Sequence, residues 1–134
     1  MIKELGEFTL YQGYGLKKLI SYRKKFYLPE PAAFGKTQPK KSKEQLIEEF
    51  IDTFCAHNFA DSDYSVIQQE LIQFDTMEEW IYQASVSTIL KCFTYFIWTD
   101  KIVDGYFKAR IDNHIVDQLL LRLEAAIKEE HVAV

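Results

Sequence analysis

Cysteine, histidine, glycine and proline are all scarce in this chain of 134 residues. The two cysteines, Cys55 and Cys92, form no Cys-x-x-Cys pair and no even-numbered framework of the kind that staples small secreted domains. Each lies in an apolar helical pattern, so both are expected to be buried free thiols in a reducing cytoplasm. The three histidines, His57, His114 and His131, stand at a helix end, a turn and the tail. None has an acid or thiol at ligand spacing on the same helix face, and a metal site needs three or four converging ligands. The three prolines, Pro29, Pro31 and Pro39, are confined to one stretch. No apolar run approaches the roughly 20 residues that a membrane-spanning helix requires. The opening Met1-Ile2-Lys3-Glu4 lacks the layout of a secretory signal. Repeats, low-complexity segments, glycine-rich phosphate loops and nucleophile elbows are also missing, leaving no catalytic residue, metal or cofactor to nominate.

Apolar side chains are plentiful: 48% of the chain is hydrophobic, with ten phenylalanines, eight tyrosines and two tryptophans. A single domain of this length buries about two-thirds of the surface its unfolded chain exposes. Charge is unevenly spread. Residues 1–43 hold ten basic and three acidic side chains, and residues 44–134 hold six basic and seventeen acidic. A net charge of −4 therefore combines a segment of +7 with one of −11.

The pattern predicts an all-α bundle of five or six helices in one domain, 1–134. Residues 1–42 would supply a basic helix and a proline-containing loop, and 43–130 an acidic helical body. The bundle is organised around residues 89–111, where Ile89, Phe93, Phe96 and Ile97 share a helical face and Val103, Phe107 and Ile111 resume it. Gly105 costs about 1 kcal/mol in a helix interior, so an interruption is expected between Asp100 and Gly105. Residues 7–12 alternate like a short extended segment, punctuated by Gly13 and Gly15. Leu16, Leu19, Ile20 and Phe26 then mark an amphipathic helix, and 28–41 a surface loop. Ser42 and Gln45 fit a capping box opening a helix with Leu46, Ile47, Phe50, Ile51 and Phe54 inward and Asn58 at its end. Asp61 or Asp63 would cap a short helix with Tyr64, Ile67, Leu71 and Phe74, and Asp75 or Thr76 another with Met77, Trp80 and Ile81. Ser85 or Ser87 would cap the central helix. The last helix places Val116, Leu119, Leu120, Leu123 and Ile127 inward, and the tail from Glu129 frays.

The run Asp100, Lys101, Ile102, Val103, Asp104, Gly105, then Asn113 and His114 and the leucine-rich 115–127, resembles a bacterial family of small helical domains of unknown function. That family's pattern is arginine, any residue, an acid, arginine, phenylalanine, any residue, an acid and glycine, followed by a helix, a turn and a leucine-rich helix. Phe59, Asp61, Asp63 and Tyr64 are similar to its upstream acidic-aromatic segment. The resemblance covers roughly residues 43–128. It departs at Trp98 and Lys101, where arginines are expected, and at Ile102 in place of phenylalanine. It implies a small helical fold and carries no activity over to this chain.

Two sets of residues are candidate binding elements. Lys17, Lys18, Arg23, Lys24 and Lys25, with Tyr22, Phe26 and Tyr27 among them, suit phosphate contact and base stacking. A basic segment beside an acidic body more simply implies docking against that body or between subunits. Asp100 and Asp104, four apart, would share a helix face with Lys101 beside them, Lys101, Lys108 or Arg110 balancing their charge. The expected function is a non-enzymatic protein-interaction or regulatory module that engages a protein partner or itself, cytoplasmic and without membrane contact. The alternative is a nucleic-acid-associated module using residues 17–43, and an enzyme centred on Asp100, Lys101 and Asp104 ranks third.

Overall fold

A computed structural model describes residues 10–27, 42–61, 63–67, 69 and 76–132. Within them lie six helices: α1 (Leu10–Tyr27), α2 (Lys43–Ala56), α3 (Met77–Tyr82), α4 (Val86–Ile102), α5 (Tyr106–Asp112) and α6 (Ile115–Glu129), with no strand among the described residues. The architecture is an all-α bundle. The expected loop at 28–41, the prolines it holds, and Leu71 and Phe74 lie outside the described residues.

Local chemistry sets most of the boundaries. The Ser42 side chain accepts from the Gln45 amide at 3.1 Å while the Gln45 carboxamide accepts from the Ser42 amide at 2.9 Å, completing the capping box. Thr76 caps α3 and Ser85 caps α4 by the same side-chain acceptance from the third helical amide. Past the end of α2, Asn58 takes the left-handed conformation at φ 60°. The chain breaks as expected after Ile102: Val103 is extended (φ −112°, ψ 101°) and Gly105 is left-handed (φ 81°) before α5 begins.

α6 packs against α1, α3, α4 and α5, while α1 and α5 also pack against α2. Phe50, Phe54, Phe93, Phe96 and Phe107 are all fully buried. Phe50 lies 5.2 Å from Phe93 and 5.6 Å from Phe107 between ring centroids, so α2, α4 and α5 meet through aromatic edges and faces. Val116, Leu119, Leu120 and Leu123 are fully buried along α6, the face its periodicity predicts.

Four expectations are corrected. Leu10 to Gln12 is the first turn of α1, not an extended segment. Gly15 lies in the helix interior because α1 approaches α2 closely there: a Cβ on Gly15 would fall 2.4 Å from the His57 ring. Cys55 is exposed and only Cys92 is buried, since Cys55 falls outside the stripe set by Ile47, Phe50 and Phe54. Beyond α6, the Glu130 carboxylate accepts from the Val86 amide at 2.9 Å and Val132 packs on the core, so the end of the chain is tied to the start of α4 through residue 132.

Candidate interaction surface

The inner face of α1 is aromatic and aliphatic, and its outer face is basic. Leu16 and Leu19 are fully buried, and Tyr22 and Phe26 nearly so. The Tyr22 hydroxyl donates to Glu49 at 3.3 Å on α2. Arg23 pairs with Asp117 at the start of α6, and the Tyr27 hydroxyl accepts from the Asp117 amide at 3.0 Å. The Tyr27 ring stacks on His114 at 5.1 Å. Burial raises the Tyr27 phenol pKa above its ordinary value. One of the five proposed basic residues is thus docked on the acidic body. Lys17, Lys18, Lys24 and Lys25 remain exposed, Lys25 resting over the Tyr22 ring at 4.4 Å. Tyr22 and Phe26, nominated for base stacking, belong to the core instead. Between α1 and α6, Lys17, Ile20, Glu124, Ile127 and Lys128 line an open groove of about 190 Å³.

The α4–α5 corner separates the other candidates. Asp100 does not share a face with Asp104, because the helix ends at Ile102. Its carboxylate accepts from the Phe107 amide at 2.9 Å. Gly105, the residue before α5, has no side chain to cap it, so Asp100 satisfies one of the open amides of its first turn. Asp104 is exposed, and Lys108 pairs with Asp112 at 3.2 Å rather than with Asp104. Lys43 reaches the same Asp112 at 3.1 Å, tying α2 to α5. These two lysines hold the Asp112 carboxyl below its ordinary pKa. Lys101 and Arg110 pair with neither Asp100 nor Asp104. Lys101 Nζ lies 5.0 Å from the Trp98 ring centroid, and the Arg110 guanidinium 4.9 Å from that of Tyr106.

This corner exposes apolar surface. Ile102 is 86% exposed, Val103 51% and Trp98 39%. Tyr106 and Arg110 were not singled out as binding residues. The signal was present in the outer face of α4, where Lys91, Tyr95, Trp98 and Ile102 recur at helical spacing opposite the buried stripe.

The histidines are occupied structurally or lie apart. His57 is buried, its Nδ1 2.9 Å from the Thr53 carbonyl and its ring stacked on Phe59. His131 is left-handed at the end of the chain's described part. Among the described residues no three His, Cys, Asp or Glu side chains converge as a metal site, and no helix is long and apolar enough to cross a membrane.

No curated protein and no solved structure matches the chain. The family model that does match spans residues 30–129, from before α2 to the last residue of α6, and by that match the chain belongs to DUF6508, a family of unknown function.

Proposed function

We propose that this chain is a non-enzymatic protein-interaction module acting through the α4–α5 corner. The observation that carries the reading is the set of three large apolar side chains, Trp98, Ile102 and Val103, exposed together at the break between two helices. Single exposed apolar residues are ordinary on any surface, but contiguous ones mark contact sites. Lys101 and Asp104, exposed beside them, provide the polar rim such contacts use. The occupied cap at Asp100 gives the corner a fixed shape, so little ordering remains to be done on association.

The test compares the parent with Ile102→Glu, a change at a nearly solvated position that leaves the core intact. Sedimentation over a concentration series reads self-association, and affinity capture from the producing cells reads a partner. A dimer or a specific partner present with the parent and lost with Ile102→Glu supports the reading. If neither state depends on Ile102, the corner is not an interface.

A second reading is favoured by the four exposed lysines of α1, which form a basic outer face suited to a nucleic-acid backbone. With Tyr22 and Phe26 in the core, such contact would be to phosphates without base stacking. Binding to labelled DNA and RNA at low salt that disappears in Lys24→Glu/Lys25→Glu supports this reading in place of the first. Absence of binding at low salt, where attraction is strongest, removes it.

A further inference from the structure

The outer face of α4 carries a cation, two rings and an aliphatic side chain in file. Lys91, Tyr95, Trp98 and Ile102 stand at i, i+4, i+7 and i+11 and so line one side of the helix. The surface continues across the corner: the Tyr95 and Tyr106 rings meet edge to face at 6.4 Å, and Arg110 lies over Tyr106. Lys101, over Trp98, flanks the strip.

Three cations on this face, Lys91, Lys101 and Arg110, make no ion pair among the described residues, whose basic partners are Arg23, Lys43, Lys108 and Arg122. The nearby acids do not answer them. Asp100 accepts from the Phe107 amide, and Asp104, exposed on the turn, forms no ion pair with any of the three. Arg110 is the least balanced: it is half-buried, and its Nε is shielded from water with no hydrogen-bond acceptor. That Nε is as closed to an incoming group as to water, so a ligand oxygen reaches Arg110 only at its terminal nitrogens, which make no hydrogen bond among the described residues. Those two terminal nitrogens offer a carboxylate two parallel hydrogen bonds, which a point charge cannot.

Resting on the interaction reading above, we infer that this strip docks a short acidic segment of a partner protein, in which carboxylates alternate with large apolar side chains. Arg110 takes a carboxylate, Lys91 and Lys101 supply flanking charge, and Trp98, Ile102 and Val103 seat the apolar groups. A peptide fits better than a nucleic acid. The most exposed members of the strip are aliphatic and offer a phosphate nothing. A long polyanion would also meet the acidic remainder of a chain with net charge −4, whereas a short segment feels charges within about 10 Å at ordinary salt.

The probe is a labelled twelve-residue peptide of alternating glutamate and leucine, followed by anisotropy with the intact protein, beside the same peptide carrying glutamine for glutamate and a twelve-nucleotide oligouridylate. Binding of the glutamate peptide is expected to weaken about tenfold or more in Lys101→Glu and in Arg110→Lys, and by a similar factor for the glutamine peptide. Lys101 is solvated, so its substitution tests the strip without a burden on folding, and Arg110→Lys keeps the charge while removing the fork. Lys24→Glu/Lys25→Glu should leave peptide affinity unchanged. The inference is overturned if the peptide does not bind at low salt, if oligouridylate competes as well as the peptide, or if the α1 variant weakens binding while the strip variants do not. Peptide failure with Ile102→Glu still dissociating a partner or dimer removes this inference and leaves the interaction reading standing. If Ile102→Glu changes neither, both fall.

Discussion

Gly15→Ala tests how α1 is seated. An added Cβ would lie 2.4 Å from both Cγ and Cδ2 of His57, so one of the two must move by roughly 1 Å to reach ordinary contact distance. The histidine has little room to yield. It is buried, with Nδ1 at the Thr53 carbonyl and its ring against Phe59. Overpacking of this kind costs about 1–3 kcal/mol. Alanine regains about 1 kcal/mol over glycine in a helix interior, leaving a net loss of up to about 2 kcal/mol and a fall in Tm of up to roughly 8 °C. Urea unfolding followed by circular dichroism measures it. The same substitution in a His57→Ala background removes the clash and keeps the propensity gain, so its sign should reverse, to a stabilisation of about 1 kcal/mol. If Gly15→Ala stabilises the parent by the full propensity gain of about 1 kcal/mol, α1 does not approach α2 as described.

Phe93→Ala, at a fully buried ring shared by Phe50, Phe54 and Phe96, should cost about 3–5 kcal/mol in urea unfolding, against little for a neutral surface change such as Ser21→Ala. A thiol reagent should modify Cys55 promptly in the folded protein and Cys92 only on unfolding, because Cys92 is fully buried and its pKa is raised by that burial. Asp112 has a folded pKa lowered from 3.8 by Lys43 and Lys108. Its contribution is therefore present above that ordinary value and lost as pH falls through the lowered one, so the stability gap between parent and Asp112→Asn, a small one for an exposed pair, should close in acid.

The features legible in the sequence are those decided within a few residues. Ser42 and Gln45 cap each other, Ser85 and Thr76 each bind an amide three residues on, and the leucine stripe of α6 follows helical periodicity. Gly105 likewise announced the break after Ile102. What stayed hidden depends on neighbours remote in the chain. Gly13 and Gly15 read as punctuation because each disfavours a helix locally, yet packing through Leu16 and Leu19 carries the helix through both. Glu130 looked like a fraying end until the Val86 amide, on another helix, gave it a role. At the corner, the spacing of Asp100 and Asp104 suggested a carboxylate pair, but a helix that stops at Ile102 turns one toward the next helix's amide and leaves the other in solvent. Arg110 was legible only as a possible counter-charge, because its missing acceptor is a property of the packed structure.

The uneven charge of the chain suggested two exclusive arrangements, a basic arm neutralised on the acidic body or one free to bind. Helix geometry allows both at once, since α1 has an apolar inner side and a basic outer side. Leu16, Leu19, Tyr22 and Phe26 are buried beneath it, and burying a large apolar side chain stabilises by about 1.5–3 kcal/mol each. Arg23 with Asp117 is a single partly exposed ion pair, of a kind usually worth under about 1 kcal/mol. Hydrophobic burial therefore seats α1, and electrostatics contributes little to holding it. Reversing Lys24 and Lys25 changes what the outer surface attracts without undocking the helix, so their charge is available for a function that the fold itself does not require.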